Sequence, residues 1–159
     1  MKILVKHFRL ITLGLLSLGF SISNAQAGGC SLEKVAGRWS FSEHGTYIPV
    51  AGDNTKNLPF SEVGWFELEK DGTGSGAVFQ SIQGRFNPPG GEPEFRLTNF
   101  QVTIDSATCT GSATFDKESS PPQSPSHRSI TFVLNSKQNE FQFISTSGDL
   151  TTIGTAKRD

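Results

Sequence analysis

Histidine, carboxylate and cysteine side chains do most of the chemistry in small proteins, and here they are few and scattered. Beyond the first 27 residues there are two histidines, His44 and His127. Glu43 precedes His44 directly, and neighbouring residues of a strand point to opposite faces, so the two make no ready acid/base pair. His44 reads as an exposed or rim side chain, and His127 falls in a proline-rich stretch. Glu62, Glu67 and Glu69 read as a solvated strand face. Cys30 and Cys109 have neither a C-x-x-C spacing nor a neighbouring histidine, which argues against metal binding and redox catalysis. Gln80, Arg85, Glu94 and Arg96 complete the stock of polar groups a site could draw on. No G-x-S-x-G, phosphate-loop, H-E-x-x-H or calcium-loop pattern occurs, and the glycines of DGTGSG (residues 71–76) lead into no helix. The sequence therefore leans away from an enzyme, and it calls for no cofactor and no metal.

The elements that would position these groups begin after an export signal. Lys2, Lys6 and Arg9 precede the apolar run from Leu10 to Ile22, too short for a comfortable membrane span, and Ala25 and Ala27 stand where a signal peptidase reads. Cleavage after Ala27 is expected, leaving residues 28–159 as a single domain with no transmembrane helix, destined for the bacterial periplasm or the medium. Lipid attachment at Cys30 is the weaker alternative, because Ala27 substitutes poorly for the large aliphatic residue a lipoprotein signal wants three places earlier. Of the 14 basic and 15 acidic residues, the leader takes three basic ones, leaving 11 against 15 and a net charge of −4. That balance argues against a nucleic-acid partner. In an oxidising compartment the two cysteines are most simply one disulfide, Cys30 to Cys109.

Pattern reading predicts an all-β fold. SLEKVAG (residues 31–37) can form a helical turn with Ser31 as its cap and Gly37 as its stop. Short alternating runs follow. Trp39 and Phe41 alternate with serines, Phe66 and Leu68 alternate with Trp65 and Glu67, and DGTGSG turns the chain into a strand over 77–86. In 94–105 the apolar parity flips near Asn99, as a bulge would require. Residues 116–127, with Pro121, Pro122 and Pro125, are expected as a surface loop. Strands around Ile130 to Leu134, Phe141 to Phe143 and 150–158 complete about eight, an antiparallel up-and-down barrel with a short N-terminal helical turn.

The G-x-W of Gly37 and Trp39 at the first strand, about eight antiparallel strands and a basic residue ending the last one resemble the lipocalin-like, or calycin, barrels. The overall pattern is also similar to allene-oxide-cyclase-like and dirigent-like barrels. The first resemblance implies that Trp39 packs at the closed end with Arg158 (or Lys157) across it, a cation–π contact worth about 0.5–2 kcal/mol. The T-D-Y triplet of a typical lipocalin is absent.

An eight-stranded barrel either fills itself or holds one small ligand, and the 11 of 13 phenylalanines that lie in residues 28–159 favour filling. Phe66, Gln80, Phe132 and Phe143 are the candidate ligand contacts, Gln80 being the polar exception on an apolar parity. Three functions follow. The first is a carrier of a small hydrophobic molecule, with 46–59 as a lid over the mouth. The second is a cofactor-free isomerase or cyclase on the same barrel, which needs a cavity holding an ionisable group of shifted pKa. The third is an inhibitor or envelope module with a filled barrel, acting through its surface.

Overall fold

Alternation of apolar and polar residues carries most of the described residues into strands. The computed structural model describes residues 29–87, 95–119, 125–145 and 147–159. The expected signal peptide, its cleavage site and Glu94 lie outside the described residues.

A helical turn α1 (Leu32–Val35) is followed by β1 (Gly37–Tyr47), β2 (Leu58–Leu68), β3 (Thr73–Ile82), β4 (Arg85–Asn87), β5 (Phe95–Asp105), β6 (Thr110–Ser119), β7 (Ser126–Leu134), β8 (Glu140–Ser145) and β9 (Leu150–Arg158). All pairings are antiparallel: each strand meets the next in sequence, except that β3 pairs with both β4 and β5. β9 then pairs with β1, so eight strands close into a barrel and β4 hangs from β3 as an extra ribbon.

The expected strand over 77–86 is therefore broken. Gln83 (φ 55°) and Gly84 (φ 71°) form a two-residue turn with both φ positive, which returns the chain on itself. The flip near Asn99 is a bulge, as its parity requires. Asn99 takes φ 50°, the β5–β6 register shifts between Thr98 and Gln101, and the buried positions pass from Leu97 to Phe100 and Val102. The loop expected over 116–127 is shorter than its prolines suggest: β6 runs to Ser119 and β7 starts at Ser126.

One end of the barrel is closed by apolar packing. Trp39 is fully buried, its Nε1–H donates to the Val35 carbonyl at 2.8 Å, and its ring stacks on Phe66. Phe100 and Phe115 extend that stack across the interior. Cys30, ahead of α1, is joined by a disulfide to Cys109 in the β5–β6 turn, tying the N-terminal segment beneath the barrel. β1, β3, β6 and β8 all run away from this end, so the connections 48–57 and 147–149 lie at the other, open end.

Candidate functional site

The open end carries what the alternation conceals. On β1 the inward parity runs Trp39, Phe41, Glu43; on β2 it runs Leu68, Phe66, Gly64, Glu62; on β3 it brings Val78 and Gln80. Cross-strand register sets Glu43 opposite Glu62 and Glu62 opposite Gln80, a polar row across three strands. From β6 across the barrel, Lys117 reaches this row. Its Nζ forms an ion pair with Glu62 Oε2 and donates to Gln80 Oε1 at 2.8 Å. The same ammonium lies 4.6 Å from the centre of the Phe95 ring. Both side chains of the Lys117–Glu62 pair are only 3 % exposed. Glu62 is thus an interior group and not part of a solvated face with Glu67 and Glu69, which are exposed. Lys117 belongs to the barrel wall and not to a loop.

Glu43 has a different environment. Its Oε2 accepts from Thr152 Oγ1 of β9 at 2.9 Å, and among the described residues it has no ion pair. Burial disfavours its charge, the Glu62 carboxylate opposite repels it, and together these raise its pKa from 4.5 to about 7, against smaller opposing effects of Thr152, Lys117 and Arg128. Two carboxyls facing each other share one nearby ammonium, so below about pH 7 Glu43 keeps its proton while Glu62 holds Lys117.

Arg128, on β7, completes the ring. Its NH1 donates to Asp149 Oδ1 in the turn before β9. Its Nε is buried and makes no hydrogen bond among the described residues.

Between this polar ring and the aromatic interior lies a cavity of about 30 Å³. Glu43, Glu62, Lys117 and Arg128 form its polar wall, and Phe41, Phe66, Phe115 and Phe143 are among its apolar walls. That volume holds one or two waters, or the polar end of a small molecule. A second space of about 20 Å³, nearer Trp39, is lined by Phe66 and Phe132 and by no charged group.

The structure thus splits the four candidate contacts. Phe66 lines both spaces, Phe143 the upper one and Phe132 the lower one, while Gln80 stands in the polar row with Lys117 as its partner. Gly37 takes φ 123° at the entry to β1, and Arg158 pairs in register with Trp39. The Arg158 guanidinium donates to the Lys34 carbonyl, pinning the last strand to α1. Among the described residues, the guanidinium over an indole is that of Arg38, 4.3 Å from Trp65. His44 is exposed, and Arg96 is exposed on β5.

Glu43, Glu62, Lys117, Arg128 and Thr152 are the site groups that sequence reasoning passes over. Their signal is parity. Each lies an even number of residues from apolar inward positions of its own strand: Phe41, Phe66, Phe115, Ile130 and Leu150 respectively. No protein-family model, curated protein or solved structure matches the chain.

Proposed function

We propose that the protein is an exported β-barrel that binds a small, largely apolar molecule at the open end of its interior. The observation that carries this reading is the largely buried polar ring of Glu43, Glu62, Lys117 and Arg128 set on an aromatic floor. Burying ionisable groups in a small barrel costs stability that an apolar filling would avoid, and such arrangements concentrate at binding sites. Apolar walls with a few convergent polar groups are the common composition of small-molecule sites. Uptake of more than a polar end requires the Phe41, Phe115 and Phe143 rings to swing aside. The disulfide supports an oxidising destination. Among the described residues no helix is long and apolar enough to cross a membrane. The G-x-W entry, the closed eight-stranded barrel and Arg158 at the Trp39 end support kinship with lipocalin-like barrels.

The test is to fill the space. Ser145 lines the cavity from β8, and Ser145→Phe should abolish binding of any ligand recovered from a lipid and isoprenoid panel while the far-ultraviolet spectrum is unchanged. Undiminished binding by that variant rules the cavity out.

One observation favours a second reading, a cofactor-free isomerase or cyclase. Glu43, with its pKa raised to about 7, could give or take a proton at the cavity wall near neutral pH. This reading requires turnover of the bound molecule, lost in Glu43→Gln while binding persists.

A further inference from the structure

The polar wall of the cavity is uneven in what it still offers. Lys117 is committed to Glu62 and Gln80. Asp149 takes one arm of Arg128. Arg128 lines the space, and its Nε–H is buried and without an acceptor among the described residues. A buried donor left unmade is costly, and an arginine is not readily relieved by losing its proton. Glu43, whose Oε2 is held by Thr152, lines the same space from β1.

We infer that the Arg128 Nε–H and the Glu43 carboxyl together receive the oxygen of an uncharged acceptor, a carbonyl group, on an otherwise apolar ligand. This assignment rests on the small-molecule reading of the same cavity and names the chemical class it selects. A carbonyl oxygen has two lone pairs and so takes both donors. A carboxylate ligand is disfavoured, because both cations of the wall are already matched, Lys117 by Glu62 and Arg128 by Asp149, and Glu43 and Glu62 would repel it. An aliphatic ligand with no acceptor leaves Nε–H unpaired.

Glu43 donates only while it holds its proton. The charged groups acting on it are Glu62 from β2, Lys117 from β6 and Arg128 from β7, the last paired with Asp149 of the turn before β9. Because its pKa is raised to about 7, the preference for an acceptor should fade as pH rises through that value.

Acetophenone, ethylbenzene and benzoate share a ring and a similar size and differ in the group presented, so their affinities for the mature, disulfide-bonded protein isolate this contact. At pH 6, acetophenone should bind about tenfold tighter than ethylbenzene, equivalent to about 1.4 kcal/mol, and benzoate should bind weakest. The ¹³C-carbonyl resonance of acetophenone should move downfield on binding. Arg128→Lys keeps a cation for Asp149 but withdraws Nε–H. It should bring the two neutral probes within about twofold by weakening acetophenone alone, the unchanged ethylbenzene affinity showing that the variant is folded. Glu43→Gln, which keeps a donor at all pH values, should retain the preference at pH 9 where the wild type has lost most of it. Equal affinities in the wild type, a preference that survives Arg128→Lys, or tightest binding of benzoate would each overturn the assignment while leaving the cavity as a binding site. Binding of none of the three would remove the site itself, and the assignment with it.

Discussion

Glu43 and Lys117 each carry a measurable consequence. Burial and the facing Glu62 hold the Glu43 proton up to about pH 7, against 4.5 in an ordinary glutamate. Between those values the folded chain binds more protons than the unfolded one. The stabilising effect of this group is thus fully present below about pH 4.5 and is lost as pH rises through about 7. Glu43→Gln should flatten that decline and be more stable than the wild type at pH 8 by about 1–3 kcal/mol, seen in denaturant midpoints at a series of pH values. An unchanged pH profile in the variant would place the titration elsewhere. Lys117→Met should cost about 3–5 kcal/mol, because it leaves Glu62 charged and buried without its cation, and the double variant with Glu62→Leu should recover most of the loss. At this scale the sequence is only partly legible. Parity marks Glu62 as inward, since it shares a face with Phe66 and Leu68, but the nearby Glu67 and Glu69 make the segment look like one acidic surface. Lys117 is obscured by the prolines that follow it, although β6 continues to Ser119.

Strands and their turns explain why these groups converge. β1 and β2 can approach with Glu43 facing Glu62 because Gly64 leaves room for the Phe41 ring. A Cβ at Gly64 would stand 2.4 Å from the Ala77 carbonyl oxygen and 2.9 Å from Phe41. Gly64→Ala should therefore destabilise the barrel by about 1–3 kcal/mol, measured by chemical denaturation. In β5 the left-handed Asn99 switches which parity faces inward, so that both Leu97 near the polar ring and Val102 near the closed end are buried. That flip is readable in the sequence, because an apolar pattern can change phase within one extended run only if an extra residue enters the ladder. The turn at Gln83 and Gly84 is not, since the residues on both sides of it are strand formers and the break rests on two positive φ values. The β1–β2 connection sits at the open end, where the Ile48 N–H donates to the Asp149 carbonyl beside the Arg128 partner. Removing residues 51–56 and closing the gap with glycine should weaken ligand binding tenfold or more, with little change in melting temperature. Undisturbed binding would show that this loop is no lid.

Across the whole molecule, apolar and polar ends divide the labour. Trp39, α1 and the Cys30–Cys109 bridge secure the closed end, and the ionisable ring occupies the open one. The disulfide spans 79 residues of sequence, and restricting a loop of that length in the unfolded chain contributes about 4 kcal/mol in the chain-entropy model. The all-β class, the closed meander and the cysteine pairing are legible because they depend on alternation, turn residues and a count of two cysteines. The site is less so, because its polar residues come singly from separate strands and no local motif joins them. The claim that these residues form a small-molecule site is tested most directly by native mass spectrometry of the purified protein, set against its denatured mass. The account predicts a native mass exceeding the denatured one by a discrete small organic molecule, an excess missing from Ser145→Phe. A native mass equal to the denatured one, with no binding across a lipid, isoprenoid and carbonyl panel, would contradict it and leave the barrel as a filled scaffold acting through its surface.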